Sequence, residues 1–311
     1  MTKKYLLGII LCLIAVFSWG GMFPVMVPAL KIMDPFYITL FRYGIVAIIF
    51  AIILLFVEGK SAFKSDGHFL KLWLFGTSAF AGFSFLVFLG QKTAGPSGSI
   101  IASVMMATQP LLGVLVGWVY RGVKPTIVSL ISMIIAAVGV FIVVTKGDLS
   151  VLYKGDNTIF ALVLILLGAL CWVIYTTGGG DFKQWSILRY STLTSIYGVL
   201  SVIVILFVAT LMGWLSVPSF GQISGVSGAL IYMISFAGVI AVFAWNLGNR
   251  IVGPINGILF MNLVPITSFV ISIVNGYKIS AFELAGVSIT ILALVGNNIY
   301  NRVAQSKVLK S

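Results

Sequence analysis

The chain reads as an all-α integral membrane protein of ten transmembrane helices, arranged as two inverted five-helix repeats. Three observations lead there. Apolar residues make up 60% of the chain and charged residues 8%, with a mean hydropathy of +1.15; soluble domains carry about 25% charged residues. Apolar runs long enough to span a bilayer, about 20 residues, recur ten times along the sequence. Finally, Leu89-Gly90-Gln91-Lys92-Thr93-Ala94-Gly95-Pro96 returns 158 residues later as Leu247-Gly248-Asn249-Arg250-Ile251-Val252-Gly253-Pro254. That offset is close to half of the 311 residues, and an internal repeat sets the architecture of a chain.

Each helix has its own justification. The start, Met1-Thr2-Lys3-Lys4, is followed by an apolar run, as in a signal peptide. Trp19 occupies the place where small cleavage residues are needed, and Leu11 is too large beside Cys12 for a lipoprotein site, so an uncleaved first helix over 5–30 is expected. Spans follow over 35–57, 69–91, 96–120, 125–145, 158–177, 189–212, 227–249, 254–274 and 282–299. Pro35, Pro96, Pro125 and Pro254 mark four of the starts, since proline suits the first helical position, where the missing N–H costs nothing. Short connections leave no room for a soluble domain. The halves are expected to divide as 1–150 and 151–311. Cys12 and Cys171 both lie within apolar runs and are expected to pack rather than to form a disulfide or metal site.

Counting bases gives the orientation. With the N-terminus inside, Lys3, Lys4, Lys60, Lys64, Lys71, Arg121, Lys124, Lys183, Arg189, Arg250, Arg302, Lys307 and Lys310 fall on the inner side. Lys31, Lys92, Lys146, Lys154 and Lys278 fall outside, and Arg42 lies within a helix. The positive-inside rule then predicts a multi-pass protein of the cell membrane with both termini cytoplasmic. Five is odd, so the second half enters from the opposite face and the repeat is inverted. Further pairs fit the split: Trp19 with Trp172, Tyr120-Arg121 with Tyr277-Lys278, and Pro110 with Pro265. The bases form no continuous stripe, which argues against nucleic acid as a partner.

These residues resemble the EamA family of the drug/metabolite transporter superfamily. The resemblance rests on Trp19-Gly20 in the first helix, Asp34-Pro35 with Arg42 opening the second, the repeated Leu-Gly-x-x-x-x-Gly-Pro, and the mid-helix Pro110 and Pro265. It covers nearly the whole chain and implies five-plus-five helices and export or exchange of small metabolites, amino acids or drugs. The sequence departs from the family pattern after the fourth and ninth helices. There Tyr120-Arg121 and Tyr277 stand where the family often carries glutamate.

The seven acids, Asp34, Glu58, Asp66, Asp148, Asp156, Asp181 and Glu283, fall in loops or at helix ends, and the one histidine, His68, precedes the third helix. A proton relay needs intramembrane acids or histidines, and an enzyme needs paired acids or a ligand cluster. No catalytic residues, cofactor or metal site are therefore expected. Glu283 is the one acid close to a helix body.

Nine residues are expected to contact substrate. Arg42 is the base deepest in a helix, which marks a functional site unless it snorkels outward or pairs with Asp34. Gln91, Gln109, Asn246 and Asn262 are amides that need partners in hydrocarbon, either a neighbouring helix or a wet cavity. Gln109 precedes Pro110 and Asn262 comes shortly before Pro265; each proline frees a carbonyl one turn back, a change tolerated where it lines a cavity. Trp19 and Trp172 recur at matching places, Tyr175 follows Trp172 by one turn, and Trp245 adjoins Asn246. Gly90, Gly95, Gly248 and Gly253 read as hinges or tight turns, and Gly113-x-x-x-Gly117 and Gly253-x-x-x-Gly257 as close-packing pairs.

The expected function is secondary transport, as exporter or exchanger, of small amphipathic metabolites, amino acids or drugs by alternating access. Aromatics and amides favour a neutral or zwitterionic solute. The partners are that small molecule and the lipid bilayer, with oligomeric state left open. The alternative is a non-transporting membrane scaffold or assembly protein.

Overall fold

The computed structural model of the protein describes residues 3–148, 157–253 and 257–308, all helix, turn or loop with no strand among them. Pro254, Lys154, Asp156 and the 150/151 division lie outside the described residues. The spanning elements are α1 (Lys3–Ile32), α2 (Pro35–Val57), α3 (Phe69–Thr93), α4 (limbs Gly95–Ala107 and Gln109–Arg121, bent by 46°), α5 (Ile127–Thr145), α6 (Thr158–Phe182), α7 (Ile187–Leu211), α8 (Ser227–Val252), α9 (Phe260–Val274) and α10 (Ala281–Val308). Among the described residues eight helices are long and apolar enough to cross a membrane, nine when the limbs of α4 count as one span. The remaining expected span, over 254–274, corresponds to α9, a shorter apolar helix among the described residues that is preceded by and overlaps a 3-10 segment, Ile258–Asn262.

The ends of the helices follow from local chemistry. Asp34 accepts from Phe36 N at 3.0 Å and precedes Pro35, so α2 starts with a side-chain cap and a proline together. Thr126 and Ser186 cap α5 and α7 in the same way. Gly122 ends α4 in the left-handed region at φ 70°, a conformation that costs glycine nothing.

α1 packs against α8 and α9, and α6 packs against α3 and α4. α2 lies on α7, and α5 on α10. Exchanging each helix for its counterpart five places along leaves this set of partners unchanged. Outward positions such as Ile48, Ile134, Val204 and Phe207 are exposed and apolar, as a lipid-facing surface requires.

Two of the repeated glycines behave differently from the expectation. Gly90 and Gly248 are interior to helices: a Cβ on Gly248 would stand 3.0 Å from Gly8 O, and one on Gly90 would stand 2.8 Å from Ala161 O. They are close-contact residues between helices rather than hinges. Gly95 and Gly253, at φ 62° and 86°, are turn glycines. Gly117 has open space around its Cβ position and Gly113 touches only Val173 at 4.0 Å, so that pair brings no helix close.

Candidate functional site

Helices α3 and α8 are each interrupted by one wide π turn, Thr77–Gly82 and Ser235–Ile240. The two turns lie at the same 158-residue offset as the repeated phrase. In α8 the N–H of Ala241 reaches back to Phe236 O, past Ala237. The carbonyl of Ala237 is thereby turned out of the ladder and accepts two side chains, Trp19 Nε1 at 3.2 Å and Arg42 Nη2 at 3.1 Å. Such π turns are frequent at functional sites.

The bend of α4 has a related cause. Pro110 has no N–H to give the preceding turn, and the Thr108 hydroxyl donates to Met105 O at 2.7 Å. Gln109, set at the bend, donates only to the sulfur of Met106, at 3.2 Å. Opposite, α9 begins with its 3-10 turn, and Asn262, 5% exposed, has no partner for either amide atom.

Between these irregular segments lies a narrow cavity of about 20 Å³, room for about one water in this conformation. Its walls are Trp19, Met22 and Phe23 from α1, Arg42 and Tyr43 from α2, Phe83 from α3, Met106 and Gln109 from α4, Trp172 from α6, and Met261 and Val264 from α9. The repeat-related Trp19 and Trp172 meet edge-on with ring centres 5.6 Å apart. Trp245 backs Trp19 at 5.4 Å, and Phe83 and Tyr175 each lie 5.3 Å from Trp172. Tyr175 stacks on Tyr190 of α7, which continues the aromatic column to Phe182 and Trp185.

Of the nine expected contact residues, Trp19, Arg42, Gln109 and Trp172 line the cavity. Tyr175 and Trp245 form a layer behind its tryptophans. Gln91 donates to Phe23 O at 2.8 Å and so supports the α1 wall. Asn246 is half-buried and donates to Ser191 Oγ at 3.0 Å, facing α7. Asn262 adjoins the lining residue Met261.

Arg42 neither snorkels nor pairs with Asp34. It is 1% exposed, and Asp34 faces Lys92 at 3.8 Å while capping α2. Its guanidinium sits 4.4 Å from the Tyr43 ring centre and touches Met22 Sδ at 3.4 Å.

Sequence reasoning missed Met22, Phe23, Tyr43, Phe83, Met106, Met261 and Val264. Apolar side chains look the same whether they face lipid or cavity. It also missed α7, where Ser191, Thr192, Thr194 and Ser195 are all fully buried. The signal was present as four hydroxyl residues within one turn and a half.

The two repeat-related tyrosines, Tyr120 in the last turn of α4 and Tyr277 in the loop after α9, each sit in a charged triad. Tyr120 donates to Asp181 Oδ2 at 2.6 Å, and Lys71 meets the same oxygen at 3.0 Å. Tyr277 donates to Glu283 Oε1 at 2.7 Å, and Lys146 meets that oxygen at 3.2 Å. Glu283 is fully buried and also accepts from Ser280 N at 2.9 Å. Burial disfavours the Lys146 charge, but the hydroxyl of Tyr277 and the carboxylate of Glu283 outweigh it and hold its pKa above the ordinary lysine value. Lys146 thus stays charged through neutral pH, and its charge is lost only on the alkaline side.

An all-helical membrane protein whose helices enclose an aromatic cavity with one buried cation has the frame of a membrane transporter. The comparisons agree. The EamA-like transporter family matches residues 6–145. An uncharacterized transporter of Bacillus subtilis, YrdR, is 42% identical over 95% of this chain and 92% of its own length. A second one, YyaM, is 28% identical over 82% of this chain and 81% of its own. The chain belongs to the EamA-like transporter family. One solved crystal structure shares the fold with a TM-score of 0.66 over 98% of both chains, at 16% identity.

Proposed function

We propose that the protein is a secondary transporter, an exporter or exchanger, that moves small amphipathic metabolites, amino acids or drugs by alternating access. The observation that carries this reading is the central cavity, whose walls come from both halves of the chain and whose two tryptophans are repeat counterparts. An inverted pair of five-helix repeats, 1–150 and 151–311, is supported by the shared offset of the phrase and the π turns, and by the exchange-invariant helix partners. A pseudo-two-fold of this kind lets one half rock against the other around a fixed site.

The Tyr120–Asp181–Lys71 and Tyr277–Glu283–Lys146 triads are the inner and outer latches in this reading, each closing one end. The excess of bases beside the first supports a cytoplasmic position for it, with both termini, in the cell membrane. A fusion tag at either terminus is expected to resist protease added outside intact cells and to be cut once they are opened. Cleavage in intact cells would reverse the orientation.

Proteoliposomes loaded with a metabolite panel test the function: saturable flux absent from protein-free vesicles is expected, and silence across the panel would favour the scaffold alternative. Glu283 sits in the outer latch with Lys146 and Tyr277 and does not line the cavity. Flux is accordingly expected to persist when an ionophore collapses the pH gradient. Flux that stops with the gradient and is lost in Glu283→Gln refutes this.

A further inference from the structure

Arg42 is a cation without a counter-ion. It is 1% exposed among membrane-spanning helices, and no ion pair joins it to any acid among the described residues. Asp34 faces Lys92, Glu58 accepts from Ser186, Asp66 holds Arg189, Asp181 holds Lys71, and Glu283 holds Lys146. The neighbours Arg42 does have are a carbonyl, a thioether and two aromatic faces. Guanidinium keeps its proton in proteins, so a buried arginine needs an anion from somewhere.

The arginine lines the cavity, and two of the lining residues carry buried polar atoms without partners. Arg42 Nε and the Tyr43 hydroxyl are buried without partners, and so are both amide atoms of Asn262 beside the lining residue Met261. Nε–H, O–H and NH₂ can all donate. Buried donors left without acceptors are rare and call for an explanation. An incoming carboxylate supplies one, because its two oxygens accept a guanidinium edge in a fork. The remaining walls, Trp19, Trp172, Phe23, Phe83 and the methionines, are apolar and would face the body of such a solute once rocking of the halves widens the cavity.

Charge arithmetic narrows the class. No second base lines the cavity, so a phosphate or dicarboxylate dianion would stay half-compensated. No acid lines it either, so an ammonium group would meet only rings and amides. Building on the transporter reading above, we infer that Arg42 binds the carboxylate of an amphipathic organic monoanion, with Tyr43 and the amides completing its shell. The preference shifts from neutral or zwitterionic solutes to monocarboxylates.

The test uses four solutes of one shape: phenylacetate, phenylacetamide, phenethylamine and phenylalanine. Purified protein in lipid nanodiscs is titrated with each, and quenching of tryptophan emission is read, because Trp19 and Trp172 line the site. Phenylacetate is expected to bind at least about tenfold more tightly than the amide or the amine, with phenylalanine between, as loss of one charged hydrogen bond is worth about that factor. Arg42→Gln is expected to abolish the acid-over-amide ratio, while Arg42→Lys keeps the preference at lower affinity. Equal binding of acid and amide by the wild-type protein overturns the assignment, and needs no variant to fold. A ratio that survives in Arg42→Gln overturns it too.

Flux separates this inference from the reading it rests on. Proteoliposomes that move amides or amines in preference to acids remain a transporter, and the anion assignment falls. Proteoliposomes that move none of a panel of acids, amides, amines and amino acids remove both.

Discussion

Trp19→Ala is expected to lower stability by about 3 kcal/mol, at the low end for large aromatic truncations, and to raise the apparent KM of transport by about tenfold. Trp19 is 6% exposed and stands between Trp172 and Trp245, with its N–H on the turned-out carbonyl of Ala237. Truncation removes a cavity wall and one of the two donors that hold the π turn of α8. The cost is at the low end because lipid, unlike water, offers unfolded side chains an apolar surrounding, so packing alone is lost. Trp19→Phe keeps a ring and loses the hydrogen bond, worth about 1 kcal/mol. Thermal unfolding in detergent and initial flux rates measure the pair. Wild-type melting and flux in Trp19→Ala would show that the tryptophan column is not a structural or substrate wall.

Gly248→Ala and Gly90→Ala are each expected to destabilise by about 1–3 kcal/mol, the usual cost of overpacking. In an ordinary helix interior the same change gains about 0.5–1 kcal/mol. The sign reverses because the new methyl meets main chain, which cannot rotate away. At Gly248 it would lie 3.0 Å from both Cys12 N and Gly8 O, and at Gly90 it would lie 2.8 Å from Ala161 O. The first contact joins α8 to α1 and the second joins α3 to α6, so the two variants probe repeat-related interfaces. Comparable losses support that relation. Gly117→Ala, where nothing lies within 4 Å, is the control and should melt at or above the wild-type temperature. Loss of stability at Gly117 equal to that at Gly248 would show that the effect is not steric.

Much of the fold is legible in one dimension. The second span, expected over 35–57, is α2 to the residue, because Asp34 and Pro35 encode its start locally. The fifth ends at Thr145 as expected. The ninth is the least well read: apolar content shows that a segment suits the membrane, but not that residues 258–262 tighten into a 3-10 turn. The π turns were invisible because nothing in Thr77–Gly82 or Ser235–Ile240 differs in composition from an ordinary apolar helix.

The site was half legible. Arginine, glutamine and recurring tryptophans in apolar runs announce themselves, and four of them line the cavity. Gln91 and Asn246 carried the same signal but face Phe23 and Ser191. An amide in hydrocarbon must bond something, and sequence does not say whether that is a neighbour or a ligand.

By itself the sequence determined the solvent of this protein, its helical content and its internal offset, because these depend on composition, run length and spacing. Tertiary structure decided that Trp19 meets Trp172, that Gly248 is a contact and not a hinge, and that Arg42 has no acid beside it. Each of those is a pairing between residues far apart in the chain. Such pairings follow from which faces of the helices touch, and in a membrane both the touching and the lipid-facing sides are apolar.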